Sequence, residues 1–244
     1  MTESIFKIIS NRPLNATVSE MVLTGDTSAL TKSGQFVNIK LDGLYLRRPI
    51  SVCDYEKDKL TLVYRAVGEG TRRMRAMQSG ERLNILVGLG NGYDTALSGE
   101  APLLVGGGVG VPPLYNLCRR LIGEGKRVRV LLGFRTASDV FYEEEFRALG
   151  ANVCVVTEDG SYGKCGFVTA AMNDLPYTYV YTCGPEPMLK AVSAAALSSG
   201  QFSFEERMGC GFGACMGCSC QTKYGNKRIC RDGPVLQKEE IIWD

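Results

Sequence analysis

Over residues 1 to about 98, short apolar runs of β type alternate with turn residues. The runs predict strands at Ile5 to Ser10, Met21 to Thr24, Gln35 to Leu41, Ile50 to Cys53, Leu60 to Ala66 and Arg82 to Val87. Strands at this spacing suggest a small antiparallel barrel. One helical interruption, Thr71 to Met77, follows the turn-like Gly68-Glu69-Gly70. Near residue 100 the pattern changes to buried apolar strands alternating with longer helical segments. Strands are predicted at Leu103 to Val105, Val128 to Phe134, Val153 to Thr157 and Tyr179 to Cys183. Helices are predicted at Pro113 to Glu124, Tyr142 to Leu149, Phe167 to Met172 and Glu186 to Ser199. Such repetition implies a parallel sheet with helices on both faces. From Ser203 the chain turns Gly- and Cys-rich and loses periodicity, so this tail is expected to be ordered by something other than a core. The divisions this gives are 1–98, 99–202 and 203–244, with no internal repeat.

Composition narrows the chemistry. With 244 residues, 45% of them hydrophobic and 22% charged, there is room for two small domains, and a wholly disordered chain is excluded. The formal charge is +2, from 28 Lys and Arg against 26 Asp and Glu spread along the chain, which argues against nucleic acid or an acidic membrane as partner. No apolar run approaches the ~18 residues of a bilayer span, and MTESIFKIIS lacks a signal-peptide layout, so the chain reads as cytoplasmic. Histidine is absent, which removes the usual general base and the commonest metal ligand and disfavours hydrolytic chemistry. Of 10 cysteines, five fall between 210 and 230, and in a reducing cytosol such a cluster points to metal rather than disulfides.

Cys210, Cys215 and Cys218 are spaced C-x4-C-x2-C, with Cys230 further on, which is the plant-type [2Fe-2S] pattern. Zinc is the alternative, but four-cysteine zinc sites favour two C-x2-C knuckles and only one is present. Glycines within the loop let backbone N–H groups turn toward the sulfurs of a negatively charged cluster. Cys220 lies two residues after Cys218 and could replace Cys230 as the fourth ligand; a ligand from a separate segment favours Cys230. A second signal is the strand running through Gly106, Gly107, Gly108 and Gly110 into a helix at Pro113, a turn with room for a pyrophosphate. Cys183-Gly184-Pro185 ends a later strand of the same sheet and should share its carboxyl edge. A third signal is Arg48-Pro49-Ile50-Ser51, where Arg48 and Ser51 can contact a phosphate, with Gly70-Thr71 offering backbone N–H groups one strand later. Alone, such an Arg-Pro turn reads as a solvated bend.

Taken in order along essentially the whole chain, these segments resemble the electron-transfer subunit of the NAD-dependent dihydroorotate dehydrogenases, within the ferredoxin-NADP reductase superfamily. Arg48-Pro49-Ile50-Ser51 looks like the family's FAD-binding segment, Tyr64-Arg65-Ala66-Val67 like the strand beside the flavin, and Gly70-Thr71 like its pyrophosphate turn. Leu89 to Tyr93 looks like the junction of barrel and sheet. Gly107, Gly108, Gly110 and Cys183-Gly184-Pro185 resemble the nicotinamide-nucleotide site, which puts Cys183 near the reacting rings. Glu205 onward resembles the [2Fe-2S] tail. The resemblance implies FAD, a [2Fe-2S] cluster and NAD as cofactors. It also implies an FMN-containing catalytic partner and a heterotetramer of two chains of each kind. The chemistry agrees: NADH yields two electrons as hydride and a [2Fe-2S] centre takes one at a time, so a flavin must stand between them. The three segments leave none for an organic substrate, which predicts that electrons pass to or from another protein. A hydrogenase or a ferredoxin-NADP oxidoreductase complex could host the same module, and a zinc-stabilised nucleotide-binding module is the alternative of another class. Arg135 and Asp139 after the second strand leave NAD against NADP open. Cys53, Cys118 and Cys154 read as buried structural thiols.

Overall fold

In the computed structural model, which describes residues 1–243, each predicted run of the first region is a strand. These are β1 (Thr2–Pro13), β2 (Val18–Thr24), β3 (Phe36–Lys40), β4 (Arg48–Glu56), β5 (Lys59–Arg65) and β6 (Arg82–Leu89), with α1 (Glu69–Ala76) before β6. They close into a barrel in the order β1-β2-β5-β4-β3-β6, all pairs antiparallel, with β6 returning to β1. Strand alternation decides what fills it: Phe6, Ile8, Met21, Leu23, Leu60, Leu62, Tyr64, Ile85 and Val87 point inward. Val18 and Val63, on the opposite faces of their strands, pack outward against the second region. Helix α1 starts two residues earlier than the sequence suggests. Thr71 Oγ1 accepts from the N–H groups of Val67 and Gly68 at 3.1 and 3.2 Å and thereby closes the first turn.

The second region supplies β7 (Leu103–Gly107), α2 (Pro113–Gly123), β8 (Arg129–Phe134), α3 (Glu143–Ala148), β9 (Asn152–Thr157) and β10 (Lys164–Cys165). It continues with α4 (Val168–Met172), β11 (Val180–Cys183), α5 (Glu186–Ala195) and β12 (Gly200–Ser203). The tail adds the hairpin β13 (Ser219–Thr222) and β14 (Gly225–Arg228), then α6 (Ile229–Asp232) and β15 (Val235–Gln237). The sheet order is β10-β9-β8-β7-β11-β12-β15. All its pairs are parallel except β12 with β15. Leu104, Val130, Leu132 and Tyr181 face α2 and α3, while Leu103, Val105, Leu131 and Val180 face α4 and α5, so helices cover both sides.

Three features differ from the sequence reading. Helix α5 stops at Ala195, because the following residues lead into β12, a strand too short to announce itself. The sheet is not wholly parallel, because β15 of the tail adds an antiparallel edge. The tail also contributes to a core: Cys218, Ile229, Cys230, Leu236 and Ile241 are buried with Phe202 and Leu189. Isolated apolar residues in a Gly-rich segment show no period, yet they bury readily against an existing sheet. Cys53 and Cys118 are fully buried as expected, whereas Cys154 is half-buried. No helix among the described residues is long and apolar enough to cross a membrane.

Candidate functional site

Strands β7 and β11 are neighbours, and the chain leaves β7 toward β8 on one side and returns through β11 on the other. A crevice therefore opens at their carboxyl ends. The register sets Cys183 beside Gly106. The turn after β7 passes so close to β11 that a Cβ at Gly110 would lie 2.2 Å from the carbonyl oxygen of Cys183, which only glycine avoids. Gly107 and Pro185 wall a cleft of about 640 Å³, large enough for a dinucleotide. Its far end carries Arg135, Asp139 and Glu158. The Cys183 thiol is pushed up to about 12 by desolvation, with a hydrogen bond to Ser203 opposing, so it stays protonated at neutral pH.

The barrel motif is assembled from two strands and a helix. Arg48 opens β4, and its guanidinium lies on Gly70 of α1: a Cβ there would sit 2.3 Å from Arg48 Nε. A phosphate at the N–H groups of Gly70 and Thr71 would thus meet a cation. The Thr71 hydroxyl is spent on its own turn, which leaves the backbone as donor. Pro49, Ile50 and Ser51 continue along β4, half-buried. Tyr64 is not at this surface. Its side chain is 2% exposed inside the barrel, and its hydroxyl donates to Asn11 Oδ1 at 3.1 Å. Arg65, Ala66 and Val67 are the accessible part of that segment, and Arg65 turns toward the Gly108 turn instead. A second cavity, about 860 Å³, is walled by Arg48 and Pro49, by Gly184 and Pro185, and by Cys220 of β13.

The cysteine loop is built to receive negative charge on sulfur. Cys210 Sγ accepts from the N–H groups of Ala214 (3.2 Å) and Cys215 (3.4 Å), and Cys215 Sγ from those of Cys210 and Gly217, both at 3.5 Å. Cys218 Sγ accepts from Cys230 N–H at 3.4 Å. Desolvation raises the Cys210 thiol, but N–H donation from Phe212, Cys215 and Ala214 prevails and brings it down to about 6. Backbone donors thus link Cys210 with Cys215 and Cys218 with Cys230, four thiols of the kind a [2Fe-2S] cluster takes. Cys220 faces the second cavity and pairs across the hairpin with Lys227.

Sequence reasoning missed the residues that dock this loop. Asn38 of β3 donates from Nδ2 to Cys210 O at 3.1 Å, and Arg228 donates from Nη1 to Gly213 O at 2.7 Å. Asn91, at the junction of barrel and sheet, holds the tail by four bonds. Its N–H donates to Gly233 O and its Nδ2 to Val235 O, both at 2.7 Å; Nδ2 also donates to Asp232 O at 3.2 Å, and Val235 N–H donates back to its Oδ1 at 3.1 Å. The Gly-Asn-Gly turn signals a bend, but nothing local signals its distant partners.

Residues 205–242 match the family model described as the iron-sulfur cluster binding domain of dihydroorotate dehydrogenase B, and residues 104–194 match the oxidoreductase NAD-binding domain. Relatives named "Dihydroorotate dehydrogenase B (NAD(+)), electron transfer subunit" include one from Bacillus pumilus, 44% identical over 99% of this chain and 98% of its own. Another, from Shouchella clausii, is 46% identical over 91% of this chain and 92% of its own. Among solved structures, that of an NADH-dependent reduced ferredoxin-NADP oxidoreductase has a TM-score of 0.88 at 27% identity, covering 98% of this chain and 90% of the other. A ferredoxin NADP+ reductase from Neisseria gonorrhoeae, with a TM-score of 0.70 at 16% identity over 80% of this chain and 90% of its own, shares the fold.

Proposed function

This chain belongs to the family of dihydroorotate dehydrogenase B electron transfer subunits, and on that premise we propose its role in pyrimidine biosynthesis. It carries electrons between an FMN-containing, dihydroorotate-oxidising partner and NAD+, through a [2Fe-2S] cluster and FAD. The observation that carries this reading is convergence. The barrel motif, the carboxyl edge of the sheet and the hairpin behind the cysteine loop wall one cavity, next to the dinucleotide cleft, with Pro185 lining both. That is where a flavin must lie to serve a nicotinamide on one side and a cluster on the other.

In this reading residues 1–98 bind FAD, 99–202 bind NAD and 203–244 carry the cluster. Arg48, Pro49, Ile50 and Ser51, with Ala66, Val67, Gly70 and Thr71, hold the flavin nucleotide. Gly107, Gly108, Gly110, Gly184 and Pro185 frame the nicotinamide nucleotide. Cys183 packs against the reacting rings as a neutral thiol that exchanges no proton near pH 7. Cys210, Cys215, Cys218 and Cys230 ligate the cluster, and their N–H donors stabilise its charge. When bound, the flavin accepts or gives a hydride as two electrons on one side and exchanges single electrons on the other. Phe212 and Met216 are exposed beside Cys215, and this apolar rim is where the partner docks. Two chains of each kind form the working complex, in the cytoplasm.

The likeness to the NADH-dependent reduced ferredoxin-NADP oxidoreductase supports a second reading, the same module in another complex. Co-production with the catalytic subunit separates the two. The pair is expected to reduce NAD+ with dihydroorotate, while the catalytic subunit alone reduces only artificial acceptors. A pair that does not copurify and shows no dihydroorotate-dependent NADH formation at 340 nm would favour the second reading.

A further inference from the structure

We propose that Asn38, in the barrel wall, is a positioning residue for the cluster. By holding the carbonyl of Cys210 it orients the backbone donors of the thiol loop and so sets the cluster's reduction potential. The inference rests on the reading of Cys210, Cys215, Cys218 and Cys230 as the ligands of a [2Fe-2S] cluster. Three observations lead to it.

The first is placement. On β3, Val37 and Ile39 fill the barrel, so alternation turns Asn38 outward. Its partner on β6 is Leu86, which packs with the tail, and its partner on β4 is Pro49, which walls the cavity of about 860 Å³. Cross-strand partners share a face, so Asn38 stands beside the cavity wall and under the tail. It is 1% exposed. Arg47, also of the cavity wall, donates from Nη1 to Asn38 O at 3.3 Å.

The second is the contact with the thiol loop. Asn38 Nδ2 donates to Cys210 O at 3.1 Å, and a Cβ at Gly211 would lie 2.4 Å from that nitrogen. With φ at +77°, Gly211 adopts a conformation that favours glycine and lets the loop settle on the amide. Among the described residues no other barrel side chain hydrogen-bonds to residues 210–218. A peptide unit is planar and trans, so its C=O and N–H point in opposite directions. Turning Cys210 O toward the barrel therefore turns Gly211 N–H away from it. The same bond fixes the start of the loop whose N–H groups at Ala214 and Cys215 donate to Cys210 Sγ. Hydrogen bonds to sulfur are a principal lever on the potential of an iron-sulfur cluster.

The third is an unpaired acceptor. Asn38 Oδ1 is buried and has no hydrogen-bond partner among the described residues. A carbonyl oxygen only accepts, so the amide nitrogen must face Cys210 O and the amide oxygen is left over. A buried acceptor without a partner disfavours the fold, and an aliphatic side chain of the same size carries no such penalty. What the amide contributes in return is its bond to Cys210.

The test uses the complete complex with the native chain, Asn38→Leu and Asn38→Ser. Iron, sulfide and flavin per chain are measured first. The cluster's potential and g values follow from a redox titration monitored by electron paramagnetic resonance. With the Cys210 carbonyl released, the added negative charge of the reduced cluster meets donors that are less well aimed. Asn38→Leu is expected to shift the one-electron reduction equilibrium about tenfold toward the oxidised form, a potential about 59 mV lower. Its g values change, while about two irons and native flavin per chain remain. Asn38→Ser keeps a short donor and recovers part of the shift. A native potential, or a rise, in fully loaded Asn38→Leu overturns the inference. Where Asn38→Leu sheds the cluster, Asn38→Ser decides, and a native potential there overturns it. Loss of the cluster from both variants with native flavin also overturns it and leaves Asn38 as a brace for the loop. A native complex without an iron-sulfur signal overturns the reading of the thiols itself.

Discussion

Gly110 shows how much of the site is decided by single atoms. A methyl group there would meet the Cys183 carbonyl carbon at 2.4 Å and oxygen at 2.2 Å, both backbone atoms that cannot swing aside. Gly110→Ala is therefore expected to destabilise the protein by about 1–3 kcal/mol in urea unfolding, as overpacked substitutions do. Gly123→Ala, at the end of α2 with open space around it, should leave stability unchanged or raise it slightly. Equal effects of the two would show that the close approach of β7 and β11 is not real. At this scale spacing in the sequence is informative where like residues recur at short range, as with the cysteines of the loop and the glycines after β7. It is silent where the partner is remote. Whether Tyr64 or Arg65 faces the cleft depends on the parity of β5, and an apolar run bounded by polar residues does not reveal that parity.

Among the elements, the barrel strands and the core strands of the sheet are legible because each carries several apolar residues at the right period. β12 and β15 are not, since they are four and three residues long and acquire their identity from β11 and from each other. The clamp at Asn91 is the clearest consequence. It ties the residues around β15 to the end of the barrel and so holds the segment that supplies Cys230. Asn91→Ala removes hydrogen bonds worth about 1–2 kcal/mol at a partly solvated site. The expected outcome is a local loosening: a severalfold faster loss of iron-sulfur absorbance in air, with little change in NADH oxidation by ferricyanide. Cluster loss at the native rate would mean that the tail is held by its buried apolar residues alone.

Across the whole molecule, burial sets a common direction for the thiols and phenols. Cys53 and Tyr93 are pushed well above their ordinary values of 9.0 and 10.0, and Cys118 and Cys183 to about 12, in every case chiefly by desolvation. Each of these groups keeps its proton in the folded state at a pH where the unfolded chain has lost it. The folded state therefore binds more protons above about pH 9, and stability must fall as pH rises through the window from about 9 to 12. Below pH 9 these groups are neutral in both states and contribute no slope. A melting temperature independent of pH between 9 and 11 would contradict the burial described here.

The central claim is that nicotinamide cleft, flavin cavity and thiol loop form one electron path. Its most direct test is a visible absorption spectrum of the anaerobically purified chain, with iron, sulfide, flavin and zinc analysis of the same sample. Flavin bands with superimposed iron-sulfur absorbance, and roughly two irons and one FAD per chain, are the predicted result. A colourless protein carrying one zinc would contradict it and leave only a nucleotide-binding fold.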